Sequence, residues 1–470
     1  MALNSFLFLL AFLPAVVAVV HLARNRRGQH AAQMLVLLAS LAFYASDSVR
    51  DFALLLASIT FNWAVAMRLS RPETAQSVRK RWLLAGLVVD VGVLCVFKYA
   101  RAVEEIIGVS DTAPDIGFPL GLSFFTLTQV MYLVDTYERL MPARRWTEHA
   151  MFVSFFPNVT AGPLLRARRF YAQLEHLASP VDRDARVARA AALVALGLLK
   201  KVVLGDSFAQ IATAGYGGAG ELSTLGAWIT VLAGTFEIYF DFSGYSDMAF
   251  GCAELLGLSL ARNFDVPFRS ATISEFWKRW HISLSEFITT YLYTPILRSM
   301  GRATLHASAL ATVIAMLIAG IWHGATWNYV IFGLLHGGAL AGFQYWKKLK
   351  RPLPRPLAVV ITFVFVSLSF ITVRAPDLPT TLRMLSRLIP QGDLLDLALF
   401  RSALAVSDLR MMVLPLCFGA IAAFAGPKAE QIAARMRPSS RSDVAIIAML
   451  LLAYMFMSAN AVTIFRYRQF

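Results

Sequence analysis

Apolar residues run through this chain in blocks, and polar residues gather between them. Residues 6–20, 34–43, 82–97, 307–322 and 444–457 are apolar over lengths approaching the roughly 20 residues a helix needs to cross about 30 Å of hydrocarbon. Each block is short, so some must lean on neighbours or re-enter the membrane from one side. Further spans are expected near 183–204, 225–250, 326–346, 357–373, 411–425 and 443–461. The pattern predicts an all-α polytopic membrane protein of about 11 spans plus re-entrant segments. It reads as one membrane-embedded domain over residues 1–470, with core motifs in 118–346 and C-terminal helices over 357–461.

The polar intervals set the orientation. Arg24, Arg26 and Arg27 follow the first block, aspartates Asp47 and Asp51 follow the second, and Arg68, Arg71, Arg79, Lys80 and Arg81 mark the third interval. Basic loops stay in the cytoplasm, which places the N-terminus outside. Glu104, Glu105, Asp111 and Asp115 then form an acidic outer loop. The interval with Lys428, Arg435, Arg437 and Arg441 puts the tail outside, against Arg466 and Arg468.

Three segments break the simple alternation. Residues 152–163 are too short and too rich in Pro and Gly for a full helix, and basic residues flank both ends. A re-entrant segment satisfies both facts, because irregular backbone at membrane depth must be buried in protein or line a cavity. Residues 225–250 are interrupted by the polar run Tyr239 to Asp247. Residues 275–296 repeat apolar positions at helical spacing with Lys278, Arg279, Ser285, Glu286 and Thr289 between them, predicting an amphipathic helix on the cytoplasmic surface. Arg298 and Arg302 precede the block 307–322, and Lys347, Lys348, Lys350 and Arg351 follow 326–346. Both ends are basic, so these two blocks form a hairpin with His323 near its tip. Sixteen residues rise only about 24 Å, which leaves the tip within the membrane or a thinned region.

Composition sharpens this picture. Hydrophobic residues make up 57% of 470 and the mean hydropathy is +0.59, above what a soluble core needs. The net charge of +15 falls in short clusters between apolar blocks, so the positive-inside rule accounts for it without a nucleic acid. Cys95, Cys252 and Cys417 lie far apart, with neither zinc spacing nor a disulfide framework. The first block lacks a basic n-region and is read as a retained span rather than a signal peptide.

The candidate chemistry lies between Glu237 and His336. Ionisable residues among apolar segments are costly and mark function by default. His323, in Gly-Ile-Trp-His-Gly-Ala-Thr-Trp-Asn, reads either as a core histidine satisfied by a carbonyl or as a buried, neutral general base. His281 reads either as an interfacial residue or as a second polar group at a chamber mouth. His336 lies thirteen positions after His323, roughly 220° around one helix, and is taken as structural. Asp241, Ser243 and Asp247 fit a structural role at a helix break better than a metal or proton site, and no metal site is predicted. No P-loop, dinucleotide fingerprint, zinc spacing or Gly-x-Ser-x-Gly elbow occurs.

Several ordered motifs carry a resemblance. Pro119-Leu-Gly-Leu-Ser-Phe-Phe-Thr126, Tyr132-Leu-Val-Asp135, Phe156-Pro through Ala161-Gly-Pro163 and Leu199-Lys-Lys201 come first. Asp241-Phe-Ser-Gly-Tyr-Ser-Asp-Met-Ala249, Glu275-Phe-Trp-Lys-Arg-Trp-His-Ile-Ser-Leu-Ser285, Trp322-His-Gly-Ala-Thr-Trp-Asn328 and Leu334-Leu-His-Gly337 follow. The series resembles the membrane-bound O-acyltransferase (MBOAT) family, most of all its bacterial branch containing the alginate O-acetylation membrane subunit and the D-alanyl transferase of teichoic acids. The resemblance implies a helical fold around a central tunnel in a bacterial inner membrane, with His323 as catalytic histidine and His281 as the second position. It further implies acetyl-CoA as a cytoplasmic acyl donor, no bound cofactor, an exported polysaccharide as final acceptor and a periplasmic partner of SGNH-hydrolase type. Asn328, Trp322, Trp327, Asp241, Ser243 and Trp280 are the expected substrate-binding or tunnel residues. The alternatives are a transporter or flippase for a lipid-linked saccharide, and an inactive scaffold of an export complex.

Overall fold

The structure is a computed structural model that describes residues 1–107, 117–390, 394–398 and 410–459. Asp111, Asp115, Arg466 and Arg468, on which part of the predicted orientation rests, lie outside the described residues, as does the end of the C-terminal stretch predicted to reach 461. Among the described residues the secondary structure is helical throughout and no strand occurs.

The first group comprises α1 (Leu13–Arg27), α2 (Gln29–Ala45), α3 (Val49–Leu69), α4 (Gln76–Ile107) and α5 (Leu122–Tyr137). The start of α3 is fixed by Ser48, whose hydroxyl accepts from Asp51 N at 3.2 Å. Glu104 and Glu105, expected in an outer loop, belong to the end of α4. The helix runs on because nothing between Trp82 and Ile107 breaks it: the interval contains no proline.

Next come α6 (Trp146–Ser154), α7 (Ala167–Gln173), α8 (Arg183–Leu199), α9 (Asp206–Gly217) and α10 (Thr224–Leu255). As the Pro- and Gly-rich sequence predicts, α6 stops at Ser154 and the chain turns through 155–163 wholly inside the protein. Its backbone polar groups are met there, Phe156 N by Ser40 Oγ at 3.2 Å and Leu164 N by Ser283 Oγ at 3.0 Å.

The predicted interruption of 225–250 is absent. α10 is one continuous helix of 32 residues, buried along most of its length. Its polar run does not break it because the aspartates are paired outward with a neighbouring element: Lys201 Nζ lies 2.8 Å from Asp241 Oδ1 and 2.5 Å from Asp206 Oδ1, and Lys200 Nζ lies 2.6 Å from Asp247 Oδ2. The two lysines sit on a π-helical turn at Lys200–Gly205, which swings both toward α10.

Then follow α11 (Ile273–Trp277), α12 (Ile282–Phe287), α13 (Thr294–Ser299), α14 (Leu305–His323), α15 (Trp327–Lys348), α16 (Arg355–Arg374) and α17 (Leu378–Arg387), with further helices at Arg410–Phe424 and Ser440–Ala459. The single amphipathic helix expected over 275–296 is therefore divided: Phe276, Trp277, Trp280 and His281 are buried, while Lys278, Glu286 and Thr289 on the polar side are exposed. These exposed polar residues border an open cavity, and helical periodicity looks the same whether a polar stripe meets a cavity or open solvent.

Six helices among the described residues are long and apolar enough to cross a membrane, including Val49–Leu69, Leu305–His323 and Arg355–Arg374. This makes the chain an integral membrane protein. The expected figure of about 11 spans is not reached by these alone, since length and apolarity pass over helices such as α10 that carry paired charges.

Close contact between α8 and α10 holds the centre. A Cβ on Gly244 would stand 2.6 Å from Gly197 O and 2.9 Å from Lys201 N, so only glycine admits this approach. Gly244→Val is expected to lower stability by about 1–3 kcal/mol through overpacking. Gly338→Ala, where a Cβ meets nothing within 4 Å, should be neutral or slightly stabilising. Thermal unfolding of both variants in detergent checks the pair.

Candidate active site

α14 and α15 form the predicted hairpin, and their contact is set by two glycines. A Cβ on Gly320 would stand 2.4 Å from Tyr329 O and 2.8 Å from Gly333 Cα. The backbones therefore meet one turn before His323, which ends α14. The N-terminus of α14 is fixed by Thr304 Oγ1, which accepts from Ala307 N at 3.1 Å.

His323 is 6% exposed. Its Nδ1 lies 2.6 Å from Ala319 O, one turn back on the same helix. A carbonyl only accepts, so Nδ1 carries the hydrogen and Nε2 is the basic nitrogen of the neutral ring. The imidazole makes edge contacts with Trp322 at 4.8 Å and Phe332 at 6.0 Å.

His323 borders a cavity of about 550 Å³, together with Lys98, Thr213, Tyr216, Tyr329 and Arg374. Lys98 comes from α4: its Nζ donates to Ser123 Oγ at 3.2 Å and to Trp322 O, and lies 5.6 Å from the Phe118 ring centre. It thereby holds the carbonyl end of α14, where positive charge is favoured. Tyr99 supports the same end through a 2.5 Å hydrogen bond to Ile321 O. Arg374, the last residue of α16, donates from Nε to Glu237 Oε2 at 2.5 Å and from Nη2 to Thr213 Oγ1 at 2.7 Å.

Sequence reasoning missed Lys98 and Arg374 because each stands at the end of an apolar block and passes for an ordinary flank. A signal for Lys98 existed: it directly follows 82–97, ahead of any interval of polar residues. Arg374 is legible only through its partner, 137 positions away.

His281 is 1% exposed and does not line this cavity. It opens α12 with φ 42°, a left-handed conformation costing a non-glycine residue about 1–3 kcal/mol. Ile282 N donates to Asn263 O at 2.9 Å, and Ser283 Oγ donates to Asn263 Oδ1 at 2.8 Å, holding the turn. The ring meets Phe242 edge-on at 4.7 Å.

Behind these residues is a layer of rings. Trp277 Nε1 donates to His336 Nδ1 at 3.2 Å, and His336 Nε2 lies 2.9 Å from Ser369 Oγ, whose own hydrogen goes to Val366 O at 2.7 Å. The His336 ring is 4.4 Å from Phe332, which touches His323. A second cavity of about 600 Å³ lies beyond, lined by Trp277, Lys278, Ser285, Glu286, Met316 and Lys347 among others. Met316 precedes His323 by seven residues, about 10 Å along α14, so the cavities flank its last two turns.

The other expected site residues are distributed unevenly. Trp280 is buried in the ring layer, stacked on Phe276 at 5.5 Å. Trp322 is buried against Phe124 at 5.8 Å. Asn328 lines neither cavity: its Nδ2 donates to Ala375 O and its Oδ1 accepts from Thr381 Oγ1, both at 3.2 Å, bracing α15 to the end of α16 and to α17. Trp327 is 67% exposed and lines neither cavity. Asp241 and Ser243 are buried on α10 and border neither cavity.

The model of MBOAT, the membrane-bound O-acyltransferase family, matches residues 95–372, which include Lys98, Glu237, His281, His323 and His336, while Arg374 lies just beyond its end. The chain belongs to this family. It is similar to the peptidoglycan O-acetyltransferase of Helicobacter pylori, 33% identical over 420 residues that cover 82% of this chain and 79% of the relative. It is also similar to a probable alginate O-acetylase of Azotobacter vinelandii, 35% identical over 404 residues covering 84% and 79%. A teichoic acid D-alanyltransferase of Streptococcus thermophilus is 30% identical over 281 residues, 54% of this chain and 67% of that one. Membership makes this membrane-bound acyltransferase an enzyme, and the flippase and scaffold readings give way to acyl transfer.

The Arg374–Glu237 pair of the acyltransferase gives a direct test. Both side chains are under 10% exposed. Arg374→Met should cost about 3–5 kcal/mol by stranding a buried carboxylate. Replacing Glu237 with Met as well should restore most of that stability, measured by thermal unfolding.

Proposed function

We propose that this acyltransferase moves an acetyl group from cytoplasmic acetyl-CoA to an exported polysaccharide in the bacterial inner membrane. The carrying observation is the placement of His323: its Nδ1 is tied to Ala319 O, and its ring borders a cavity at the hairpin tip. His323 Nε2 takes the proton of the incoming hydroxyl while that oxygen attacks the thioester carbonyl. The carbon–sulfur bond breaks, and the proton passes to the departing CoA sulfur. His281 and the ring layer around Trp280 position the reacting groups.

Charge supports the direction. The basic ends of the hairpin, at Arg298 and Arg302 and at Lys347 and Lys348, favour the cytoplasm. The cavity with Lys278 and Lys347 is then on the donor side, and the cavity with Lys98 and Arg374 is on the acceptor side. Relatives named for peptidoglycan and alginate support a polysaccharide as final acceptor. The family resemblance supports a serine on a periplasmic partner of SGNH-hydrolase type as the intermediate acceptor.

Protein in lipid nanodiscs, with and without membranes containing the native periplasmic partners, is supplied with acetyl-labelled CoA. His323→Ala should lower label transfer at least about 100-fold at equal folded yield. Transfer that persists removes His323 as the base. Label that moves only from a D-alanyl donor, as the Streptococcus thermophilus relative's name suggests for that protein, reassigns the acyl group.

A further inference from the structure

A third cavity, about 920 Å³, lies where α15 ends and α16 begins. Lys347, Lys350, Arg351 and Arg355 stand at its rim, no carboxylate lines it, and among the described residues none of the four makes an ion pair. Below the rim its walls turn apolar. On α16, Arg355, Ala358, Ile361, Thr362 and Phe365 form one stripe at helical spacing. Ten residues of rise take that stripe about 15 Å down, half the hydrocarbon thickness, or the depth of one leaflet. On α15 the facing stripe descends from Trp346 through Phe343 and Gly342 to Ala339, and the small residues leave room between the helices.

The cavity is open to the side. Trp346, Leu353 and Ile361 are between 42% and 49% exposed, and the neighbouring Leu357 and Val360 continue this apolar flank at 49% and 57%. In a membrane that flank meets acyl chains. A headgroup of negative charge at the rim, and a chain of one leaflet's length below it, match the groove at both levels. A nucleotide could use the cations but would leave the apolar stripe uncovered.

We propose that this groove binds an anionic diacyl phospholipid, with its phosphate among Lys350, Arg351 and Arg355 and one acyl chain along α16 between Ala358 and Phe365. Bound there, the lipid would seal the flank beside the second cavity, with which the groove shares Phe343 and Lys347.

Detergent-purified protein is titrated with dioleoyl phosphatidylglycerol or dioleoyl phosphatidylcholine, and retention is read by native mass spectrometry. One phosphatidylglycerol should be retained in preference to phosphatidylcholine. The triple variant Lys350→Gln, Arg351→Gln, Arg355→Gln should lose that preference roughly 100-fold, about fivefold per cation. Ala358→Phe, with every charge kept, should weaken retention by filling the groove. It tests the proposal independently if the triple variant fails to fold. Lys80→Gln with Arg81→Gln, removing exposed cations elsewhere, should retain the lipid as wild type does. Equal retention of both lipids overturns the proposal, as does a full effect in the Lys80/Arg81 control or no effect of Ala358→Phe. Displacement of phosphatidylglycerol by added CoA assigns the rim to the donor nucleotide instead.

Discussion

Everything at the reactive end of the molecule depends on how closely α14 and α15 approach. Hydrocarbon offers no hydrophobic drive to hold two helices together, so close packing must do so, and glycine at the crossing permits it. With Gly320 against Gly333 and Tyr329 O, the hairpin has little freedom to splay. The chain reverses over Gly324, Ala325 and Thr326 immediately above, and His323 inherits its position from that geometry. Lys98 and Tyr99 then fasten the same end from α4 by binding the carbonyls of Trp322 and Ile321.

A second constraint is the placement of charge in the interior. Lys200 pairs with Asp247 and Lys201 with both Asp206 and Asp241, tying the turn after α8 to α9 and α10, and Arg374 with Glu237 ties α16 to α10. Such pairs are not a strong source of stability, since desolvation offsets much of the attraction. They do fix register: shifting α10 by one residue would separate each carboxylate from its cation. The central helix is thus held in place lengthwise by ion pairs and sideways by glycine.

The hairpin and the buried break at 155–163 were legible because proline, glycine and flanking charge act locally. His323 stood out by its setting in Trp-His-Gly. Other features were hidden by the ambiguity of periodicity: residues 275–296 show a polar stripe whether it faces water or a cavity, so the division at His281 and its burial did not appear. The polar run in α10 resembled a break because its lysine partners lie some 40 residues earlier and their pairing is a tertiary fact. Trp327 and Asn328 were drawn into the site by their closeness in sequence to His323, yet Trp327 is exposed and Asn328 braces α15 against the end of α16 and α17. Lys98 and Arg374 looked like span ends, and only the folded arrangement brings them to one cavity.

The hydrogen-bond partners of the two histidines on this hairpin dictate opposite tautomers. At His323 a carbonyl demands a proton on Nδ1, whereas at His336 an indole N–H demands a lone pair there. The two rings are the same chemical group in the same apolar layer, linked through a single phenylalanine. One is left with its basic nitrogen directed away from its own helix backbone, while the other has that nitrogen consumed by tryptophan. Which imidazole can act as a base is therefore decided by the polarity of one neighbour, and exchanging a donor for an acceptor beside either ring would alter its chemistry without moving a helix.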